Sequence, residues 1–342
     1  MLCESHINPL FKWGALLGAF AVGTLVGFGA TTAVGGHRTV VVARAVPAAK
    51  APKPRAVVQP HRSHHVAVAP VVAPSRATVS LYEHTTAQWV LRAQGCSAAR
   101  RGVGGIVILD FGQPAYNGHT YGTNLFSGRF AGNTAITRGM LGYAHGYTHC
   151  LERGSDLSIT LARGTSNYNP LVPSPYKAGR KWARETMTLA HLLRARKLDG
   201  HVVSAAADDV EPAWDRSFHR TRDFFRGYRD ARTGNLLYNY GSLDGGVGSI
   251  WNSRQAFFVA SGMKYARAIP EIYNHAMARQ WAELAYIAKH RYHRPMKFAG
   301  VMTTHTSANH GMKPRDAHSS LVRALAGAVD VPPTLTNIRS AQ

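Results

Sequence analysis

From Val79 onward, short β-rich runs alternate with amphipathic helical stretches, and this alternation restricts the fold more than any other feature of the chain. Strands are predicted at 105–111, 157–162, 201–207, 236–240, 255–260 and 297–302, and helices near 134–150, 177–197, 215–229, 271–291 and 314–328. A βαβα order implies parallel strands covered by helices. Six strands are visible where a closed (β/α) barrel takes eight, so either two lie hidden in loops or the sheet is open. The 264 residues from 79 to 342 suit a barrel, which typically needs about 250. The expected fold class is therefore α/β, a TIM-type barrel of irregular build.

The first 78 residues have a different character. After a short tail, 1–12, the stretch 13–34 holds no charged residue. At about 1.5 Å per residue it would make a helix of roughly 33 Å, enough to cross about 30 Å of hydrocarbon. A single transmembrane anchor and a long signal segment cleaved near Thr31-Thr32-Ala33 both fit. The next segment, 35–78, is rich in Ala, Val and Pro, without sustained periodicity, and reads as an unstructured, extended basic linker. Its His61, His64 and His65 are expected to decorate this linker rather than bind metal. Lys12 before the apolar stretch is outnumbered by Arg38, Arg44, Lys50, Lys53 and Arg55 after it, a distribution that favours an internal C-terminal part. The order of apolar segment, Pro-rich spacer and folded domain instead suits an exported, tethered protein with its domain facing the cell wall, or a secreted one if the segment is cleaved. Export is the reading adopted.

In parallel α/β proteins, chemistry gathers at the carboxyl ends of strands. Asp110 ends the first predicted strand, and the third runs into Asp208-Asp209-Val210-Glu211-Pro212. Alternation places Asp209 and Glu211 on one face and Asp208 and Val210 on the other. Neighbouring carboxylates raise one another's proton affinity, so one can donate a proton near neutrality while the other carries charge. Glycosidic cleavage uses that division. Glu211 is the expected acid, Asp209 the group that stabilises positive charge or orients the substrate, and Asp110 the residue that holds substrate or tunes Glu211. An acidic loop capping the next helix is the structural alternative.

With Asp209-Val210-Glu211-Pro212, the strand ending at Asp110, Leu237-Tyr238-Asn239-Tyr240 and Phe257-Phe258-Val259-Ala260, the chain resembles the lysozyme-type muramidases of the D-x-E glycoside hydrolase family, and the wider group of actinobacterial glycoside-hydrolase-like barrels. The resemblance implies a β/α barrel with acidic residues at Asp110, Asp209 and Glu211. The family's closing acidic residue has no evident counterpart near 301–306, and one strand before Asp209 is missing from the pattern.

Aromatic side chains near strand ends would stack on sugar rings; the candidates are Tyr238, Tyr240, Trp214, Trp251 and Tyr168, with Tyr116 also in a loop. Trp182 and Trp281 fall in amphipathic helices and read as core. His145 and His149 are four apart on a helix, but Gly146 stands where a zinc protease motif needs Glu. His305, His310 and His318 form a late cluster that could reach a barrel mouth. Gly102-Val103-Gly104-Gly105 precedes its strand and reads as a turn, and there is no phosphate-binding loop motif. No metal and no cofactor are expected. Cys96 and Cys150 can pair if the domain is exported; otherwise they are buried thiols.

With 40 Lys+Arg against 18 Asp+Glu the net charge is +22, of which +15 belongs to the domain. A domain this basic attracts polyanions. Anionic wall polymers qualify outside the membrane, and nucleic acid inside. The basic residues are not interleaved with aromatics and no nucleic-acid-binding signature occurs, which argues against the second. The expectation is a membrane-tethered, exported glycoside-hydrolase-like protein acting on a cell-envelope polysaccharide. The alternatives are a non-catalytic envelope-glycan-binding relative and a basic membrane-anchored nucleic-acid-binding protein.

Overall fold

The computed structural model describes residues 78–305 and 311–341. The apolar segment 13–34, the linker apart from Thr78, and His310 lie outside the described residues. Among the described residues, no helix is long and apolar enough to cross a membrane.

Eight parallel strands form the sheet. In chain order they are β1 (Thr78–Tyr82), β2 (Gly105–Asp110), β6 (Ile159–Ser166), β7 (Val202–Asp209), β8 (Leu237–Asn239), β9 (Ala266–Ala268), β10 (Val301–Thr303) and β11 (Leu335–Ser340). From β1 to β9 each pairs with the next, β10 pairs with β11, and β11 pairs with β1. The remaining edges, β9 and β10, are joined by parallel bridges Ala268 to Phe298 and Glu271 to Met302. Backbone bonds from Ala299 N to Ala268 O (2.8 Å) and from Met302 N to Pro270 O (2.8 Å) complete that seam. The result is a TIM-like barrel. Helices α1 (Gln88–Arg100), α2 (Asn133–Cys150), α3 (Pro175–Ala195), α4 (His219–Asp230), α5 (Ser253–Phe257), α6 (His275–Arg291) and α7 (Pro314–Leu325) follow successive strands. A small antiparallel sheet of β3 (Gln113–Tyr116), β4 (Tyr121–Asn124) and β5 (Phe130–Gly132) is inserted between β2 and α2.

Side-chain alternation divides the core into two layers. Ile106, Ile108, Ala162, Ala205, Ala207 and Tyr238 fill the barrel, whereas Val107, Leu109, Leu161, Val202 and Ala206 pack outward against the helices. Burial on both faces explains why β2 reads as one continuous apolar run. Short caps start the helices: Ser174 accepts from Lys177 N with Pro175 following, and Asn274 accepts from Met277 N at 3.0 Å. The expected Cys96–Cys150 disulfide is present and ties α1 to α2.

Two expectations require correction. Residues 255–260 are helical: Asn252 and Gln255 form a reciprocal capping box that starts α5, and the chain continues through a π-helical turn, Phe258–Gly262. The apolar run Ala256 to Ala260 suggested a strand because a short buried helix and a buried strand share that pattern. The strands absent from the prediction are β1, β9 and β11, so the sheet has the eight strands of a barrel rather than an open set of six.

Candidate active site

Inward-facing positions at the carboxyl ends of β2, β7 and β9 bring Asp110, Asp209, Glu211 and Glu271 into the mouth of the barrel. Asp110 shares the inward parity of Ile106 and Ile108, and Asp209 and Glu211 that of Ala205 and Ala207. Glu271 lies two residues after Ile269, which is also inward, and bridges to Met302 in the barrel seam. Gly164 on β6 stands in register with Asp110, and a Cβ there would lie 2.8 Å from the Asp110 Cα. A side chain at this position would fill the space beside the carboxylate.

Each acid has distinct supports. Asp110 Oδ1 accepts a bond from Gly112 N at 2.8 Å, and its carboxyl shares a hydrogen bond with Tyr240. Burial is the larger effect and pushes Asp110 up to about 7. Asp209 is raised well above the ordinary carboxylate range, first by burial and then by Glu271, Glu211 and Asp110. Its Oδ1 is buried without a hydrogen-bond partner, as is Ser166 Oγ on the neighbouring strand. Glu211, partly open to solvent, is pushed up to about 7 by desolvation and by the charge of Asp244. Glu271 rises to about 8 through burial and Glu211, opposed by its bond to Tyr273. These groups titrate as a unit. At neutral pH the cluster therefore retains protons that isolated carboxylates would have lost.

Asn167, the residue after β6, fixes the backbone of Glu211. Its Oδ1 accepts from Glu211 N and its Nδ2 donates to Glu211 O, both at 3.0 Å, while its own N–H donates to Asp209 O at 3.0 Å. The β6–β7 ladder is thus continued by a side chain past the end of the strand. The same Nδ2 donates to Thr221 Oγ1, and Asp215 accepts from Thr221 N at 2.8 Å, so α4 is tied to the loop that presents Glu211. Asp244 accepts from Ala213 N and Ser242 Oγ, which holds its charge beside the mouth.

The predicted aromatic residues separate into two groups. Tyr238, Tyr240 and Trp251 are 4%, 1% and 2% exposed. Their rings pack in the interior and offer no open face to a sugar: Tyr240 donates to Thr165 O, and Trp251 to Asp215 O. Trp214 and Tyr168 are 38% and 39% exposed. They stand edge to face, centroids 6.4 Å apart, on the loops after β7 and β6. Tyr116 lies in β3 against Tyr121, and Trp182 and Trp281 are core residues of α3 and α6. Asp208 faces away from the mouth with Ser204 and Ala206, fully buried and raised by desolvation. His305 bonds Gly311 O and His318 Nε2 lies 3.3 Å from Val331 O. Among the described residues, no three His, Cys, Asp or Glu side chains form a group able to hold a metal ion.

Sequence reasoning missed Glu271, Tyr273, Tyr82, Asn167 and Asp244. Tyr82 ends β1, and the charges of Asp209, Glu271, Asp110 and Glu211 all reach it. The available signal was Ile269-Pro270-Glu271, an acid beside proline after a short apolar run, which echoes Glu211-Pro212. No protein-family model matches the chain, and no curated protein matches its sequence.

Proposed function

We propose that the domain is a glycoside hydrolase whose substrate is a cell-envelope polysaccharide. The observation that supports this most directly is the convergence of Asp209, Glu211 and Glu271 in the barrel mouth, where burial raises all three and the charge of Glu211 raises the other two. Glu211 is the general acid, because it combines a proton held to about pH 7 with access to solvent. Its proton passes to the glycosidic oxygen as the bond to the anomeric carbon breaks. The resulting positive charge lies beside Asp209, whose carboxyl oxygen stabilises it, as the only proton moved is the one that Glu211 gives. Water then adds to the anomeric carbon and returns a proton to Glu211. Asp110 tunes the pair from below, and Glu271 takes the place of the acidic residue that was sought near 301–306. Trp214 and Tyr168 supply the stacking edge. The Cys96–Cys150 disulfide supports export, since such bonds persist in oxidising compartments. An apolar 13–34 segment would then serve as the tether.

The test measures reducing ends released from purified envelope polysaccharides by the wild type, Glu211→Gln and Asp209→Asn. Wild-type release falling by about 10²–10⁴-fold in Glu211→Gln, with sedimentation on the same polymer retained, is the expected result. A wild type that sediments with the polymers and cleaves none of them would replace hydrolysis with envelope binding.

A further inference from the structure

Outside the barrel, between α4 and α5, runs a groove of about 510 Å³ whose walls carry Arg222, Arg226, Arg229 and Arg254 over Phe218 and Phe258. The first three lie at helical spacings of four and three residues, so they share one face of α4. Their positions are separated by about 6 and 4.5 Å along the axis. Arg254 reaches in from α5. Two acids oppose this charge: Asp223 accepts from Arg222, and Asp230 from Arg229 at 2.8 Å, with Asp230 also in the field of Arg226. Both pairs join adjacent residues on the exposed helix and occupy one edge of each guanidinium. Four cations against two anions leave the groove positive, in a domain that already repels itself.

We propose that this groove binds the oxyanions of a linear acidic polysaccharide, phosphodiester or uronate, as a track separate from the barrel mouth. Guanidinium forks pair with such oxyanions through parallel hydrogen bonds. The Cys96–Cys150 disulfide suits an oxidising compartment, where acidic glycans rather than nucleic acid are the polyanions at hand. Phe218 is 7% exposed and packs edge-on against Trp251 (4.9 Å) and Phe258 (6.1 Å), so the groove has an apolar floor in which only the half-buried Phe258 is partly open. Behind this floor, Trp251 donates to Asp215 O at 2.8 Å, a buried bond that ties it to the turn that carries Trp214.

Binding is measured with the full chain at two salt concentrations, using a glycerol-phosphate oligomer, an oligogalacturonate and a single-stranded oligonucleotide of equal charge. Because binding alone is read, the outcome does not depend on turnover. Arg226→Gln/Arg254→Gln is expected to weaken one or both glycan probes by about tenfold and to reduce the salt dependence of binding, while Arg184→Gln/Arg194→Gln, which removes equal charge from exposed positions on α3, changes little. The probe that loses affinity identifies the oxyanion. Arg226→Lys/Arg254→Lys keeps the charge without the fork and should fall between, and circular dichroism confirms that each variant is folded. Equal loss in the α3 control would reduce the effect to net charge, and an oligonucleotide that binds more tightly than either glycan would overturn the assignment.

Discussion

At the residue scale, the proton on Glu211 depends on a neighbour that belongs to no sequence motif. Asp244 raises Glu211 by its negative charge, and its own position is fixed by Ala213 N and Ser242 Oγ. Asp244→Asn preserves the shape and removes the charge, so the Glu211 proton becomes easier to lose. If Glu211 is the acid, wild-type kcat/KM falls as pH rises through about 7, and in Asp244→Asn that descending limb moves to lower pH. A pH-rate profile on a released-sugar substrate checks this, and an unmoved limb would assign the proton to another group. Asn167 acts on the same acid through geometry. Replacing it with Ala leaves Glu211 N and O without their partners, at about 1–3 kcal/mol of stability. The expected kinetic signature is a loss in kcat with its pH profile in place, because the position of the acid changes and its charged neighbours do not.

Among elements, the tightest junction is α1 on α2, which meet through glycines. A Cβ on Gly146 would lie 1.9 Å from Arg92 O, and one on Gly95 would lie 2.1 Å from Tyr143 O. The helices are also joined by the disulfide, which closes a loop of 54 residues. Chain entropy assigns that bond roughly 4 kcal/mol, and forcing a methyl into the interface costs about 1–3 kcal/mol. Thermal melts of Gly146→Ala and Cys96→Ser/Cys150→Ser should both show lower Tm, with the larger fall in the second. The same scale explains which parts of the fold were legible. The strands β2, β6 and β7 are six to eight residues long and buried on both faces, so their apolar runs stand out in the sequence. By contrast β8, β9 and β10 have three residues each, too few for any period to show, and only β8 and β10 overlap runs that read as strands, 236–240 and 297–302. With no period at Ala266–Ala268, Glu271 reads as the start of the helix at 271–291 instead of the residue that follows a strand. The D-x-E pair was legible because its spacing alone fixes a shared face, whereas Asn167 and Asp244 join Glu211 only after β6, β7 and β8 are placed side by side.

The whole molecule stores protons, and this sets its stability against pH. Glu83, just past β1, is fully buried, bonded to Gln94 at 3.3 Å, and pushed up to about 8, chiefly by desolvation. Asp110, Glu211 and Glu271 lie at about 7, 7 and 8, and Asp208 and Asp209 are raised as well, first by burial. In the unfolded chain all six lose their protons near pH 4. Between that pH and about 8 the native state binds more protons than the unfolded one, so unfolding free energy decreases as pH rises. Self-repulsion among the excess basic groups acts the other way, because it grows as pH falls. The buried acids prevail between pH 5 and 8, where the native state gives up protons that the unfolded chain has already lost and each unit of pKa elevation corresponds to about 1.4 kcal/mol. The denaturant midpoint of the domain should accordingly be higher at pH 5 than at pH 8. Glu83→Gln keeps an amide-sized polar group without an ionisable proton, so it removes one contribution of a few kcal/mol and flattens the decline, with its greatest gain over wild type above pH 8. Parallel denaturation series at pH 5, 7 and 9 decide the matter: a midpoint that holds steady or climbs across that range would mean that water or a cation stabilises the buried carboxylates in their ionised form.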